Sequence, residues 1–320
     1  SRPMRELRDL TRQRVQLVNE HSTVANRIQK VLEDANIKMA SVLSDILGIS
    51  GRDMLAALVS GERDPEALAQ LARGRLREKH SELVAAFESK LDDHHSFLLQ
   101  MYFSHLTHLE SLIARFDARI DEMVAAEELN SHEDNLPPKL DATDEADGVL
   151  PFSAAVELMT TIPGVSKCSA NAIVAEIGTD MARFPDPGHL ASWAGLCPGS
   201  KESAGKRYSG KTTKGNRWLR RVLTQAACAA SRTKGTYLSA QYRRIASRRG
   251  KKRATIAVAH SILTSIYHML SKHQPYLDLG PPHLDNLNRE RSAQNHVRRL
   301  RKLGYNVTIE PIHEPEKQPA

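Results

Sequence analysis

The chain has 320 residues, long enough for two or three domains, and 40% of them are hydrophobic, which suffices for packed cores. Aromatic residues make up only 5%, which favours helices and coiled coils over a β-sandwich, and the formal net charge of +7 points to an acidic partner. No apolar run approaches membrane-spanning length and the N-terminus shows no signal-peptide core, so no membrane role is expected. The three cysteines, Cys168, Cys197 and Cys228, are odd in number and form no CxxC pair. That fits a reducing compartment and excludes a disulfide framework or a zinc knuckle.

Leu7, Leu10, Arg14, Leu17, His21, Val24, Ile28, Val31 and Ala35 recur at alternating spacings of three and four. They predict one helix with a heptad-like stripe, interrupted at Arg14 and His21. Residues 37–47 are expected to continue in helix until Gly48 and Gly51 break it. Asp64-Pro65-Glu66 is a helix start: the Asp caps, the Pro suits the first turn and the Glu faces the positive helix end. A helix is expected from about Glu66 to Glu128. Within it Leu99, Tyr102, Leu106, Leu109, Ile113, Phe116, Ile120 and Met123 alternate three and four without a miss. This stripe reads equally as an oligomerising coiled-coil seam or as a helix packed on its own domain. The acid-rich, proline-containing stretch 130–150 is the best linker. Two helices, 218–232 and 253–272, follow in a second, mainly helical region over 151–275. The tail, 276–320, carries one more helix, 289–303, stopped by Gly304, and Tyr305 to Ile309 reads as a short strand.

Charge is segregated along the chain. Between Lys201 and Arg253 the only acid is Glu202, whereas between Asp121 and Asp147 the only lysine or arginine is Lys139. The segment from Gly195 to Arg221 alternates glycines and small hydroxyl residues with cations. Glycine lets backbone N–H groups approach phosphates, and each Lys or Arg that meets a phosphate releases counterions. Upstream, Leu158 to Gly178 has the form helix, Ile162-Pro163-Gly164-Val165, helix. This helix-hairpin-helix pattern offers N–H groups of a glycine turn and a helix N-terminus to a phosphate oxygen, which positions DNA without reading its sequence. An ordinary helical hairpin is the competing reading. Residues 205–212 match GxxxxGK[ST] letter for letter, yet no β-branched run precedes them, so a P-loop NTPase is excluded. Ser203 lies in a cationic loop where it suits attack on a phosphodiester, with Ser200 and Ser209 equal candidates and a plain turn role the alternative. His94, His95, His105 and His108 sit in a helix without cysteine or a well-placed carboxylate and read as polar-face residues.

The residues 158–178, Arg183-Phe184, 190–199, Glu202-Ser203-Ala204-Gly205-Lys206 and 214–220 together resemble transposases of the insertion-sequence 110/116/902 family. Residues 257–260, 267–270 and 303–308 extend the resemblance, as do 7–12 and 26–52, so that it covers nearly the whole chain. The resemblance implies a RuvC-like domain with four metal-binding acids, a coiled-coil region and a C-terminal domain with a nucleophilic serine. It also implies a structured guide RNA, oligomeric assembly and recombination of DNA. The acidic quartet is expected before Leu7 and has no counterpart here, so the chain is expected to lack most of that domain. No cofactor is then expected in this chain, and magnesium belongs with the missing acids.

The expected fold is therefore mainly α: long coiled-coil helices followed by a helical transposase domain with a helix-hairpin-helix-like motif. The expected divisions are a helical remnant over 1–62, a coiled-coil region over 63–129, the acidic linker over 130–150, the transposase domain over 151–275 and the tail. By the resemblance, Ser203 is the nucleophile. Gly164, Val165, Ser166, Lys167, Lys206, Arg207, Lys211, Lys214, Arg217, Arg220 and Arg221 hold DNA. The expected partners are the element's DNA ends and target, a structured RNA, and further copies of the chain through the coiled coil. The expected place is the bacterial cytoplasm, on the nucleoid. The rival expectation is a catalytically inactive, truncated remnant that still binds nucleic acid.

Overall fold

The computed structural model describes residues 2–88, 91–133, 149–199, 201–204, 206–286 and 289–308, with 127–133, 201–202, 206–209, 285–286, 289–292 and 295 given by backbone alone. The chain is mainly α-helical and divides into two units, Ser1–Ala126 and Glu127–Ala320. Residues 134–148 of the expected linker, Pro137-Pro138 included, lie outside the described residues.

The first unit is built on a long helix, α1 (Arg2–Asp34), followed by the short helices α2 (Met39–Val42), α3 (Ile49–Val59), α4 (Pro65–Gln70) and α5 (His80–Ala86) and by a second long helix, α6 (Asp93–Glu133). Side chains join α1 to α6 in falling order: Arg14 to Asp117, His21 to Glu110, and Asp34 to His95. The two long helices are therefore antiparallel. The two polar interruptions of the first stripe, Arg14 and His21, are where α1 meets carboxylates of α6. Elsewhere along the two helices the apolar positions close the seam, with Leu17, Val24, Ile28, Val31 and Leu32 buried together with Leu99, Leu106 and Leu109. The stripe on α6 is thus engaged within one chain.

The single helix expected from about Glu66 to Glu128 is not formed. Asp64 does cap α4 by accepting hydrogen bonds from the Glu66 and Ala67 N–H groups. That helix stops at Gln70, and Gly74 then takes a left-handed conformation at φ +58° ahead of a 3-10 turn, Gly74–Lys79. The break lets Leu68, Leu83 and Phe87 fold back into the unit's core, burial that a straight helix cannot provide. Helix over 37–47 is likewise confined to α2, because Asn36 ends α1 in the left-handed region at φ +62°. Gly51 does not break a helix; it lies within α3, where a Cβ would sit 2.3 Å from the Ile46 carbonyl oxygen.

The second unit runs α7 (Phe152–Thr160), α8 (Lys167–Ile177), a 3-10 turn over Met181–Arg183, α9 (Pro187–Trp193), the strands β1 (Lys201–Ser203) and β2 (Lys206–Ser209), α10 (Arg217–Ala230), α11 (Tyr237–Arg249), α12 (Lys251–Lys272), α13 (Gly280–Asn286) and α14 (Arg289–Lys302). The central helix is α12, which packs against α7, α9, α10 and α11. Its buried face is Ala254, Val258, Ala259, Ile262, Leu263, Ile266, Met269 and Leu270, small near the start and larger toward the end. The small residues admit close neighbours at one end, and the larger ones fill the other. The expected helices over 218–232 and 253–272 are present as α10 and α12, and α14 matches the tail helix. Residues 305–308 form no strand, since no neighbouring strand is there to pair with them among the described residues.

Two predictions follow from these contacts. The Glu110 carboxyl is held below its ordinary value of 4.5, first by the hydrogen bond from Arg52 and further by His21, against the opposing effect of partial burial. Its folded-state value is depressed, so its stabilisation is fully present above about pH 4.5 and is lost as the pH falls through the lowered value. Glu110→Gln is expected to cost about 1 kcal/mol in urea unfolding at pH 7, and the gap to the wild type should shrink in acid. Gly164 has φ +89°, and a Cβ there would lie 2.4 Å from the Ala230 nitrogen. Gly164→Ala is expected to cost about 2 kcal/mol or more in thermal or urea unfolding of the second unit, because strain and overlap add.

Candidate nucleic-acid interface

The basic segment is a β-ribbon standing on a glycine crossing. After α9 the chain turns at Gly195, which has φ +72°, and passes directly against Gly215. A Cβ on Gly215 would fall 2.3 Å from the Gly195 nitrogen, so both positions require glycine. Above the crossing the Thr213 N–H donates to the Cys197 carbonyl at 3.2 Å and the Gly199 N–H to the Lys211 carbonyl at 2.9 Å. Pro198 bridges Thr212, and β1 then pairs antiparallel with β2. Ser203 opposes Lys206 at the far end, and Ala204 turns the chain with φ +51°. Gly205 and Ser200 lie outside the described residues, as do the side chains of Lys206, Arg207 and Ser209.

This geometry settles the GxxxxGK[ST] match. A P-loop needs strand, loop and helix in that order, and here residues 206–209 of the motif are themselves a strand. Ser203 is exposed at the tip of the ribbon. At ~3.3 Å per residue it stands on the order of 16 Å along the strand from Pro198 at the foot.

At the foot, Asn216 organises three elements. Its side chain accepts hydrogen bonds from the Trp218 and Leu219 N–H groups and so caps α10. Its amide also donates to Glu176 of α8 at 2.6 Å, and its backbone N–H donates to the Trp193 carbonyl at the end of α9. Arg220 donates to the Gly195 carbonyl at 3.2 Å, and the Arg217 guanidinium lies 4.7 Å over the Trp218 ring.

The charges here run against helix electrostatics. The positive end of a helix macrodipole favours acids and disfavours cations, by about 0.3–1 kcal/mol for each exposed charge. Yet α10 opens with Arg217, Arg220 and Arg221, and α12 opens with Lys251, Lys252 and Arg253, with no acid in either first turn. The two starts face one cleft of about 890 Å³, whose lining includes Lys211, Arg220, Lys252, Arg253 and His260 and, among the described residues, no carboxylate. A bound anion would reverse the unfavourable sign of both helix ends at once.

The candidate residues thus fall into separate places. Lys211 and Arg220 line the cleft, and Ser203 tops the ribbon. Lys214 and Arg217 are exposed beside the glycine crossing, and Arg221 is half-buried on α10. The turn between α7 and α8 lies elsewhere, because Gly164 abuts Ala226 and Ala230 near the last turn of α10. At 1.5 Å per residue, that is about 10–15 Å along α10 from Arg220. Within the turn, Val165 is buried and its N–H donates to the Ile162 carbonyl, while Ser166 caps α8 through the Ser169 N–H. Ser166 and Lys167 are the exposed members.

Lys252, Arg253 and His260 did not stand out as site residues in the sequence. The signal was present in the run Lys251-Lys252-Arg253, but its meaning depends on where α12 begins. Cys197 is a poor nucleophile, since partial burial raises its thiol pKa, and none of the three cysteines is in a disulfide. Among the described residues no group of three His, Cys, Asp or Glu side chains gathers as a metal site. Among the described residues no helix is long and apolar enough to cross a membrane.

No curated protein matches the chain. Residues 156–243 match the family described as Transposase IS116/IS110/IS902. The matched segment runs from within α7 through the ribbon and α10 into α11.

Proposed function

We propose that this chain is a DNA transposase subunit whose second unit grips the phosphate backbone at the foot of the ribbon and presents Ser203 to a neighbouring phosphodiester. The observation that carries this reading is the pair of helix N-termini, each loaded with cations against its own dipole, opening onto one cleft whose described lining holds no carboxylate. Such an arrangement costs stability in the isolated protein and is offset when a polyanion binds. Structured RNA and further copies of the chain belong to the same proposal, as partners that the family resemblance implies.

The chemistry at Ser203 is an ester exchange. Its Oγ attacks phosphorus, the new O–P bond forms as the bond to the 3′-oxygen breaks, the serine proton passes to solvent and the 3′-oxygen leaves as a hydroxyl. The strand is then held as a 5′-phosphoserine, and the reverse exchange rejoins it. The exposed position of Ser203 at the tip suits a nucleophile that must reach into a strand held about 16 Å away along the ribbon.

Two tests separate gripping from cutting. In filter binding or fluorescence anisotropy, Lys252→Ala/Arg253→Ala should weaken DNA binding and flatten its salt dependence by about 0.9 in logarithmic slope for each phosphate contact removed. An unchanged slope sinks the assignment of these residues. On a suicide substrate bearing the element's end, the wild type should form a covalent protein–DNA adduct that Ser203→Ala does not. Binding by both without an adduct favours the inactive-remnant reading.

A further inference from the structure

The cleft at the ribbon foot has more chemistry than a phosphate grip needs. Its cations, Lys211, Arg220, Lys252 and Arg253, suit a backbone, but its lining also includes the apolar Leu196, Ile256 and Ala257 and the polar Gln241 and Ser261. Apolar wall gains nothing from a phosphate. At about 890 Å³ the cleft falls within the roughly 300–1,000 Å³ typical of small-ligand sites.

The polar lining is oriented. The Ser261 hydroxyl donates to the Ala257 carbonyl at 3.2 Å, so its oxygen is left to accept, and the Gln241 Nε2 donates to it at 2.9 Å. This fixes the Gln241 amide with Oε1 as the remaining atom. Gln241 Oε1 is buried and has no hydrogen-bond partner among the described residues. An orphaned buried acceptor is destabilising until a donor reaches it, which here requires the lining to part around Oε1.

We infer that this cleft takes one unstacked nucleotide of the bound strand, with its phosphate among the cations, its base against Leu196, Ile256 and Ala257, and an exocyclic amine donated to Gln241 Oε1. The inference rests on the reading of the cleft as a DNA-binding surface and goes beyond it, because a duplex held only by its backbone uses neither the apolar wall nor the acceptor. Adenine, cytosine and guanine carry an exocyclic amine; thymine does not. Proteins that take a base out of the stack read it in this way, by hydrogen bonds at its edge and apolar contact at its faces. The ribbon then holds a locally opened strand, in which a phosphodiester is more accessible to Ser203 than in an intact duplex.

The test uses the full chain with three labelled DNAs of one sequence: a paired duplex, the same duplex with a central bubble of unpaired adenines, and that bubble with thymines. The adenine bubble should bind about fivefold more tightly than the paired duplex, the gain expected of one satisfied hydrogen bond with apolar contact. Gln241→Leu, close in shape and without the acceptor, should lose the preference for adenine over thymine while binding the paired duplex normally. Lys252→Ala/Arg253→Ala should weaken all three DNAs alike. With 2-aminopurine in the bubble, wild-type binding should change its fluorescence, and Gln241→Leu should diminish that change. Equal affinity of the wild type for paired and bubbled DNA, with the cation variant still weakened, overturns the nucleotide pocket and leaves the backbone reading intact. Binding that is indifferent to both sets of substitutions overturns the backbone reading and the pocket together.

Discussion

Gly195 and Gly215 pass each other so closely that neither can carry a side chain, and the arrangement of the second unit around the site follows from that crossing. It joins the end of α9 to the start of α10. It also sets the spacing at which 197–199 and 211–213 pair to found the ribbon. Asn216, one residue beyond the crossing, caps α10 and ties it to Glu176 of α8. Arg220, a turn later, reaches back to the Gly195 carbonyl. A few backbone contacts therefore fix where the ribbon points and which helix ends surround its foot.

The electrostatics follow from this placement. Cations in the first turns of α10 and α12 are misplaced for helix stability, yet Arg220, Lys252 and Arg253 among them line one cleft. Stability is given up locally at a place where a bound anion would recover it, a pattern common to binding sites. The first unit shows the opposite economy: Arg14, His21 and Arg52 are matched there by Asp117 and Glu110 within the fold. The charges of the first unit that interrupt its seam are internally satisfied, whereas the described lining of the cleft holds Lys211, Arg220, Lys252 and Arg253 and no carboxylate.

Much of the helical skeleton was legible in the sequence. The alternating stripes located α1 and the later part of α6, Asp64-Pro65-Glu66 located the start of α4, and the apolar run 254–270 located α12. The break between α4 and α6 was not legible, because good helix formers surround Gly74 and only tertiary burial of Leu68, Leu83 and Phe87 decides the matter. The ribbon was not legible either: its strands are three and four residues long, without alternation, and backbone pairing above a glycine crossing holds them. Ser203 and the cations were visible as a composition. That Lys211 and Arg220 share a cleft with Lys252, Arg253 and Gln241 depends on α12 packing against α10 and α11, which no local pattern encodes.

The claim on which this account rests is that DNA lies across the foot of the ribbon. Photo-crosslinking of the full chain to DNA carrying the element's end, followed by mass spectrometry of the crosslinked peptides, tests it most directly. The account predicts crosslinks in 196–212 and in 251–261, the two stretches that meet at the cleft. Crosslinks confined to the first unit or to α14, with none in those two stretches, would contradict it.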